Sequence, residues 1–162
     1  LRNQMKWTDY IIPGVFVWLM QLILSDFLAI ETVRPDFPVI LILYWSVKYG
    51  RTAGTVSGFM LGLLVDLSGT ATFFGLSPLI YSITGYLGGN LAGSYSKINP
   101  LYFSITWITI LAFQFLIFCV VQYQDLWFIN WHLFFGKWLG TTLYTLSFVA
   151  ILQFIFPLHR VA

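Results

Sequence analysis

The sequence predicts an all-α membrane protein, a compact bundle of six transmembrane helices with both termini in the cytoplasm. Three observations carry that reading. Of 162 residues, 59% are hydrophobic, 20% aromatic and only 9% charged, against about 25% charged and 45–50% apolar in an ordinary soluble domain. Eight basic and six acidic side chains cannot clothe a water-exposed body of this length, so lipid is the expected solvent for much of the surface. The apolar residues fall into six runs separated by short polar joints, and the basic residues alternate between those joints. The length fits one domain, here a single polytopic unit over residues 1–162.

The runs span residues 10–30, 37–48, 52–67, 73–92, 101–121 and 133–156. A helix crossing the hydrocarbon core needs about 20 residues. The first, fourth, fifth and sixth runs meet that length. The second and third are short. Taking residues 35–49 together gives only about 22 Å of helix, so snorkelling by Lys48 or local thinning accompanies a crossing. The rival is a re-entrant hairpin, which leaves the later helices in the same orientation. Ahead of the first run, Arg2 and Lys6 resemble the start of a signal peptide. The run is too long for a cleaved apolar region and no A-x-A site follows, so a retained helix is expected. Leu1 stands where a Met is ordinary, and Met5 offers an alternative start.

Basic side chains collect in cytoplasmic joints. With the N-terminus inside, Arg2, Lys6, Lys48, Arg51, Lys97 and Arg160 are inside and only Arg34 and Lys137 outside. This alternation favours true crossings by the second and third runs, since a re-entrant turn would carry Lys48 and Arg51 into the bilayer. Asp26, Glu31, Asp36, Asp66 and Asp125 fall in the outward half, with Asp9 inside. Trp7 marks the inner boundary, and Tyr123, Trp127 and Trp131 mark the outer one. Residues 122–132 are expected to lie along the outer surface as a short interfacial element.

Helices in lipid associate through small residues that let backbones approach. Gly54, Gly58 and Gly62 recur at four-residue spacing, as do Gly85, Gly89 and Gly93, with Gly136 and Gly140 in the last run. Ordinary packing is the leading account, and a docking face for another membrane protein the sharper one. Pro13 sits one turn inside the first run, where it is tolerable, and Pro38 and Pro100 sit near helix starts, where the missing N–H costs nothing. Pro78 either kinks the fourth helix or marks its true start, and Pro157 ends the sixth.

Charges within membrane helices are costly and face protein or a wet cavity. Asp26, Asp66 and Lys137 lie at similar depth in the outer half. The economical expectation is a structural pair of Lys137 with Asp66 or Asp26, and the functional one is an outward cavity lined by all three. No catalytic constellation, phosphate loop or metal-ligand spacing is present in the sequence. His132 reads as interfacial and His159 as a cytoplasmic anchor. Cys119, alone, cannot form an internal disulfide and reads as an inert buried thiol. Basic residues are too few and dispersed for nucleic-acid binding. The expectation is a non-enzymatic protein with no cofactor.

The stretch from Arg34 to Gly93 carries an ordered set of features. Arg34-Pro35-Asp36 precedes an apolar run; Gly58-Phe59, Gly62-Leu63 and Asp66 follow, and Gly75-Leu76 stands nine residues beyond Asp66. This set, with the length and six-run hydropathy, resembles the MreD family. The resemblance covers about the first sixty per cent of the chain in detail and the rest only as apolar helix. It implies a scaffold of the bacterial inner membrane in cell-wall elongation, maintaining rod shape. It also implies binding to MreC, a single-span protein, and linkage to an MreB-type cytoskeleton and to peptidoglycan glycosyltransferase and transpeptidase enzymes. Arg34, Asp36, Gly58, Phe59, Gly62, Asp66 and Gly75 carry over as signature positions, the glycines for close packing and Arg34 and Asp66 for polar contacts at the outer end. The fold is expected to be similar to the substrate-binding subunits of energy-coupling-factor transporters.

Those subunits supply the second reading, in which Asp26, Asp66 and Lys137 line a vitamin site near the outer face. Such a subunit needs a small-residue face on its first helix for its transport partner. Here that helix offers only Ser25 and Ala29 at four-residue spacing, and Trp18 and Met20 crowd the inner part. A channel, the third possibility, needs a polar stripe along a whole helix, and no run has one.

Overall fold

The computed structural model of the protein describes residues 7–29, 33–70 and 73–158. Arg2, Lys6, Glu31, His159 and Arg160, and the side chains of Trp7, Asp9, Ser25 and Asp26, lie outside what is described. Among the described residues every regular element is helical. The order is α1 (Trp7–Phe27), α2 (Phe37–Tyr49), α3 (Arg51–Val65), α4 (Leu76–Gly88), α5 (Pro100–Gln122), α6 (Gln124–Ile129) and α7 (Trp131–Ile155). A π turn over Asp66–Thr70 extends α3, and a tighter 3-10 turn over Gly89–Leu91 extends α4.

Two helices, α5 and α7, are long and apolar enough to cross a membrane, while α2 and the Ile11–Leu24 part of α1 are shorter apolar helices. At 1.5 Å per residue, α5 reaches about 35 Å and α2 about 20 Å.

The helix starts follow from local chemistry. The Asp36 carboxylate accepts from the Val39 N–H at 3.2 Å and caps α2, with Pro38 in the first turn where no donor is needed. Asn99 caps α5 ahead of Pro100, and Asn130 caps α7. Gly50, at φ 89°, ends α2 and lets α3 begin one residue later. Gly75, at φ 95°, sets the start of α4, so the fourth apolar run becomes helical at Leu76 and not at Phe73. Pro78 therefore lies in the first turn of α4 and marks its start without kinking it.

The core is built around α2. Helix α2 is apolar almost all round, and α1, α3, α4 and α7 pack around it. Nine of its thirteen residues are buried, with Val39, Ile42, Leu43 and Ser46 fully so. Tyr81, Leu91, Phe103, Trp107, Leu111, Phe115 and Val149 complete the cluster from α4, α5 and α7. The outward surfaces of α1, α5 and α7 carry exposed large apolar residues along their length, among them Phe16, Ile23, Leu101, Phe113, Leu143 and Phe154.

Candidate functional site

Two features organise the molecule: a glycine seam between α3 and α4, and a polar knot where α2 begins.

Along the seam, Gly54 faces the Gly85 carbonyl, Gly58 the backbone of Tyr81 and Ser82, and Gly62 the backbone of Ser77 and Pro78. The falling partner numbers show that the two helices run antiparallel. A Cβ at Gly54, Gly58, Gly62, Gly85 or Gly89 would stand closer to backbone atoms of the partner segment than real side chains ever do. Gly89 lies against Gly50 and Arg51 at one end of the seam. The close approach thus depends on glycine at each level.

The sequence grouped other glycines with these, and the structure corrects three of them. Gly75 and Gly93 have φ of 95° and 68° and, among the described residues, no neighbour within 4 Å of a Cβ position. They serve the left-handed backbone of turns, which side chains resist. Gly136 has open space around its Cβ position, and Gly140 meets only the Val33 side chain, at 3.3 Å. Phe59 is half exposed and turns away from the seam. With Leu63, Phe74, Gly75, Pro78, Leu79 and Ser82 it lines a shallow apolar groove of about 360 Å³.

The polar knot centres on Asp36. The Tyr81 hydroxyl of α4 lies 2.8 and 2.9 Å from the two carboxylate oxygens and donates to them. The Asp36 N–H donates to Thr145 Oγ1 of α7 at 3.3 Å. From α1, Gln21 Nε2 donates to the Pro35 carbonyl at 3.2 Å, and Gln21 Oε1 accepts from the Phe37 N–H at 3.0 Å. Three helices, α1, α4 and α7, therefore converge on Pro35, Asp36 and Phe37 at the start of α2, and backbone groups left open at that helix start find partners.

The other expected charges are placed separately. Asp66 is buried at 4% exposure; its Oδ2 accepts from the Gly75 N–H at 2.6 Å, and its Oδ1 has no hydrogen-bond partner among the described residues. That bond closes the loop between α3 and α4. Lys137 turns instead to α5, its Nζ 4.4 Å from the centroid of the Tyr123 ring. Of the two expected partners of Lys137, Asp66 serves the backbone of its own loop, and the side chain of Asp26 lies outside what is described. Arg34 is exposed, while its neighbour Asp36 gives its carboxylate to Tyr81 and Val39.

Several polar residues that tie helices together were not singled out from the sequence. Trp18 Nε1 donates to the Leu64 carbonyl at 3.1 Å and to Ser68 Oγ at 2.8 Å, joining α1 to the end of α3. Thr84 donates to Gln114 Oε1 at 2.8 Å within the α4–α5 contact. The available signal was simple: Gln21, Thr84, Gln114 and Thr145 are polar residues inside apolar runs, where a hydrogen-bond partner is required.

No reacting set appears among the described residues. They hold no group of three or more His, Cys, Asp or Glu side chains arranged to bind a metal. The geometry is that of a packing device, in which close backbones and shared hydrogen bonds fix the mutual arrangement of helices.

The family model described as rod shape-determining protein MreD matches residues 2–161, essentially the whole chain. The chain belongs to the MreD family. It is thus a rod shape-determining membrane protein of a family known for a structural role and not as enzymes. The match extends over the C-terminal part, where the sequence resemblance rested on apolar helix alone. No curated protein and no solved structure matched the chain.

Proposed function

We propose that this MreD-family protein is a non-enzymatic scaffold of the cell-wall elongation machinery. It holds an MreC-like single-span protein in the bacterial inner membrane and, through it, connects to an MreB-type cytoskeleton and to peptidoglycan synthases. The observation that carries this reading is the family match over residues 2–161. The structure supports it through its emphasis on packing: a glycine seam, a shared polar knot and large apolar outer faces.

In this reading α1 to α5 and α7 cross the bilayer, α6 lies at the outer face, and both termini are cytoplasmic. The alternation of basic residues supports that orientation. The short α2 crosses while enclosed by other helices, so most of its surroundings are protein and not lipid. Phe59, half exposed, is available for contact with a partner or with lipid.

The test combines shape and partnership. The tagged chain is expressed in rod-shaped cells depleted of their own MreD, then purified in mild detergent and its companions identified by mass spectrometry. Restored rods and recovery of an MreC-like protein are expected. Round cells together with recovery of transporter ATPase subunits or a bound vitamin would overturn the scaffold reading.

A further inference from the structure

The apolar groove beside the glycine seam is built from both helices of the α3–α4 hairpin. Phe59 and Leu63 line it from α3, one turn apart; Gly75, Pro78 and Ser82 line it from α4 at three- and four-residue steps. It therefore follows the helix axis for about two turns, roughly 10 Å. Pro78 is buried, whereas Phe74 and Leu79 are 70% and 58% exposed, so the groove has a bottom and a rim.

The groove is formed before anything enters it. The Pro78 backbone is fixed against Gly62 across the seam, and the Gly75 N–H is held by Asp66 Oδ2 at 2.6 Å. The Ser82 hydroxyl donates to the Pro78 carbonyl at 2.6 Å, which leaves the groove to offer apolar contact. A preorganised surface spares an occupant the ordering cost of shaping it.

Lipid fits this side of the molecule poorly. As α-helices, the 15 residues of α3 and the 13 of α4 reach about 22 and 20 Å, against about 35 Å for α5. A hydrocarbon core is about 30 Å thick. The Arg51 guanidinium, 5.7 Å from the centroid of the Tyr86 ring, sets the polar limit at one end of the hairpin. Acyl chains against the hairpin would have to thin, and each ångström of mismatch is unfavourable. Helix α2 is just as short but is enclosed by its neighbours. Val56, Phe59, Met60 and Leu79 of the hairpin are not enclosed.

We infer that this groove seats a single membrane-crossing helix of a partner protein, entered by large apolar side chains at three- and four-residue spacing. The placement deepens the scaffold reading and rests on it, because it gives the single-span partner its position on this chain. A helix laid along the hairpin takes the place of mismatched lipid and turns its own, longer apolar surface to the bilayer. A third helix lodged between two packed ones also matches the elongated form of the groove. Phe59 belongs to the ordered set through which the sequence resembles the MreD family, yet it is half exposed and turns away from the seam. A contact outside the chain accounts for it where packing within the chain does not.

The test uses the tagged full chain in rod-shaped cells depleted of their own MreD, with the MreC-like protein of those cells carrying a second tag. The photocrosslinking amino acid p-benzoylphenylalanine is placed at Phe59 or Leu79 in the groove or, separately, at Ile108 of α5 or Leu143 of α7, both exposed. After irradiation, adducts are separated by size, probed for both tags and checked by mass for bound phospholipid. In parallel, Leu79→Trp fills the groove from an exposed position.

Strong adducts with the single-span protein are expected at 59 and 79 and weak ones at 108 and 143. Leu79→Trp should lower co-purification of that protein about fivefold or more, with an unchanged gel-filtration profile; if this variant does not fold, the adducts decide. Co-purification of the partner without adducts at 59 and 79, or with equal adducts at all four positions, overturns this placement and leaves the scaffold reading intact. Adducts at 59 and 79 with phospholipid or a second copy of the chain alone assign the groove to that occupant and also overturn it, as does full co-purification by a folded Leu79→Trp. Absence of the single-span protein from both the adducts and the purified material sinks the scaffold reading and this inference with it.

Discussion

Helices α2 and α7 are both strongly apolar, yet α2 buries nine of its thirteen residues and α7 only four of its twenty-five. The difference extends to their neighbourhoods. The α2–α4 region is assembled by backbone approach at glycines and by the knot around Asp36. The α5–α7 region is assembled by side chains: the Trp138 indole donating to the Ala112 carbonyl at 2.9 Å, and a chain of edge-on aromatic contacts. Apolar composition alone therefore does not distinguish a helix surrounded by protein from one facing outward. What distinguishes them is the small residues beside them and the polar groups that require partners.

Placing the same substitution in both regions is the sharpest way to break this comparison. Gly58→Leu forces a side chain into the Tyr81 backbone, and overpacking of a closed contact costs about 1–3 kcal/mol or more. We expect most of the folded, monodisperse protein to be lost in fluorescence-detected gel filtration. Gly136→Leu, into open space, should leave the profile nearly unchanged. Equal losses would show that the seam is no more demanding than the outer helix.

The knot comes next in size. Asp36→Ala removes the α2 cap and leaves the Tyr81 hydroxyl without its acceptor, with an expected cost of about 2–3 kcal/mol. A fall in thermal stability in detergent should be accompanied by a smaller one for Tyr81→Phe, and a silent Asp36→Ala would remove the knot from the account of the fold.

Smaller effects are expected where single side-chain bonds join helices. Gln114→Leu removes the acceptor of Thr84, and such bonds within a membrane average about 0.6 kcal/mol. Lys137→Met removes a cation above the Tyr123 ring, a contact of about 0.5–1 kcal/mol when exposed. Thermal shifts from the two should be comparable and modest. A loss of folding from Lys137→Met as severe as that from Gly58→Leu would make the lysine a structural tie of the bundle.

The seam was legible in advance because glycines at four-residue spacing lie on one helix face. Gly54, Gly58 and Gly62 needed no tertiary information to be recognised as a row. Gly93 and Gly136 fit the same spacing and do something else, because spacing does not record whether a helix continues or whether anything faces it. Asp36 was noticed as a charge beside Arg34, but its partner Tyr81 lies forty-five residues away, and no local pattern joins the two. Asp66 was expected to seek a lysine and instead meets the Gly75 N–H within its own loop, a choice set by backbone geometry.

By itself the sequence determined the solvent, the helix content and the family: charged residues too sparse to clothe a soluble body, apolar runs of helical length, and the ordered positions from Arg34 to Gly93. Tertiary structure alone decided which apolar helix is enclosed, which glycines touch another backbone, and which polar side chains meet. Composition and local spacing act along one segment. Burial and hydrogen-bond partnership depend on segments distant in the chain, and they are fixed only when the helices pack.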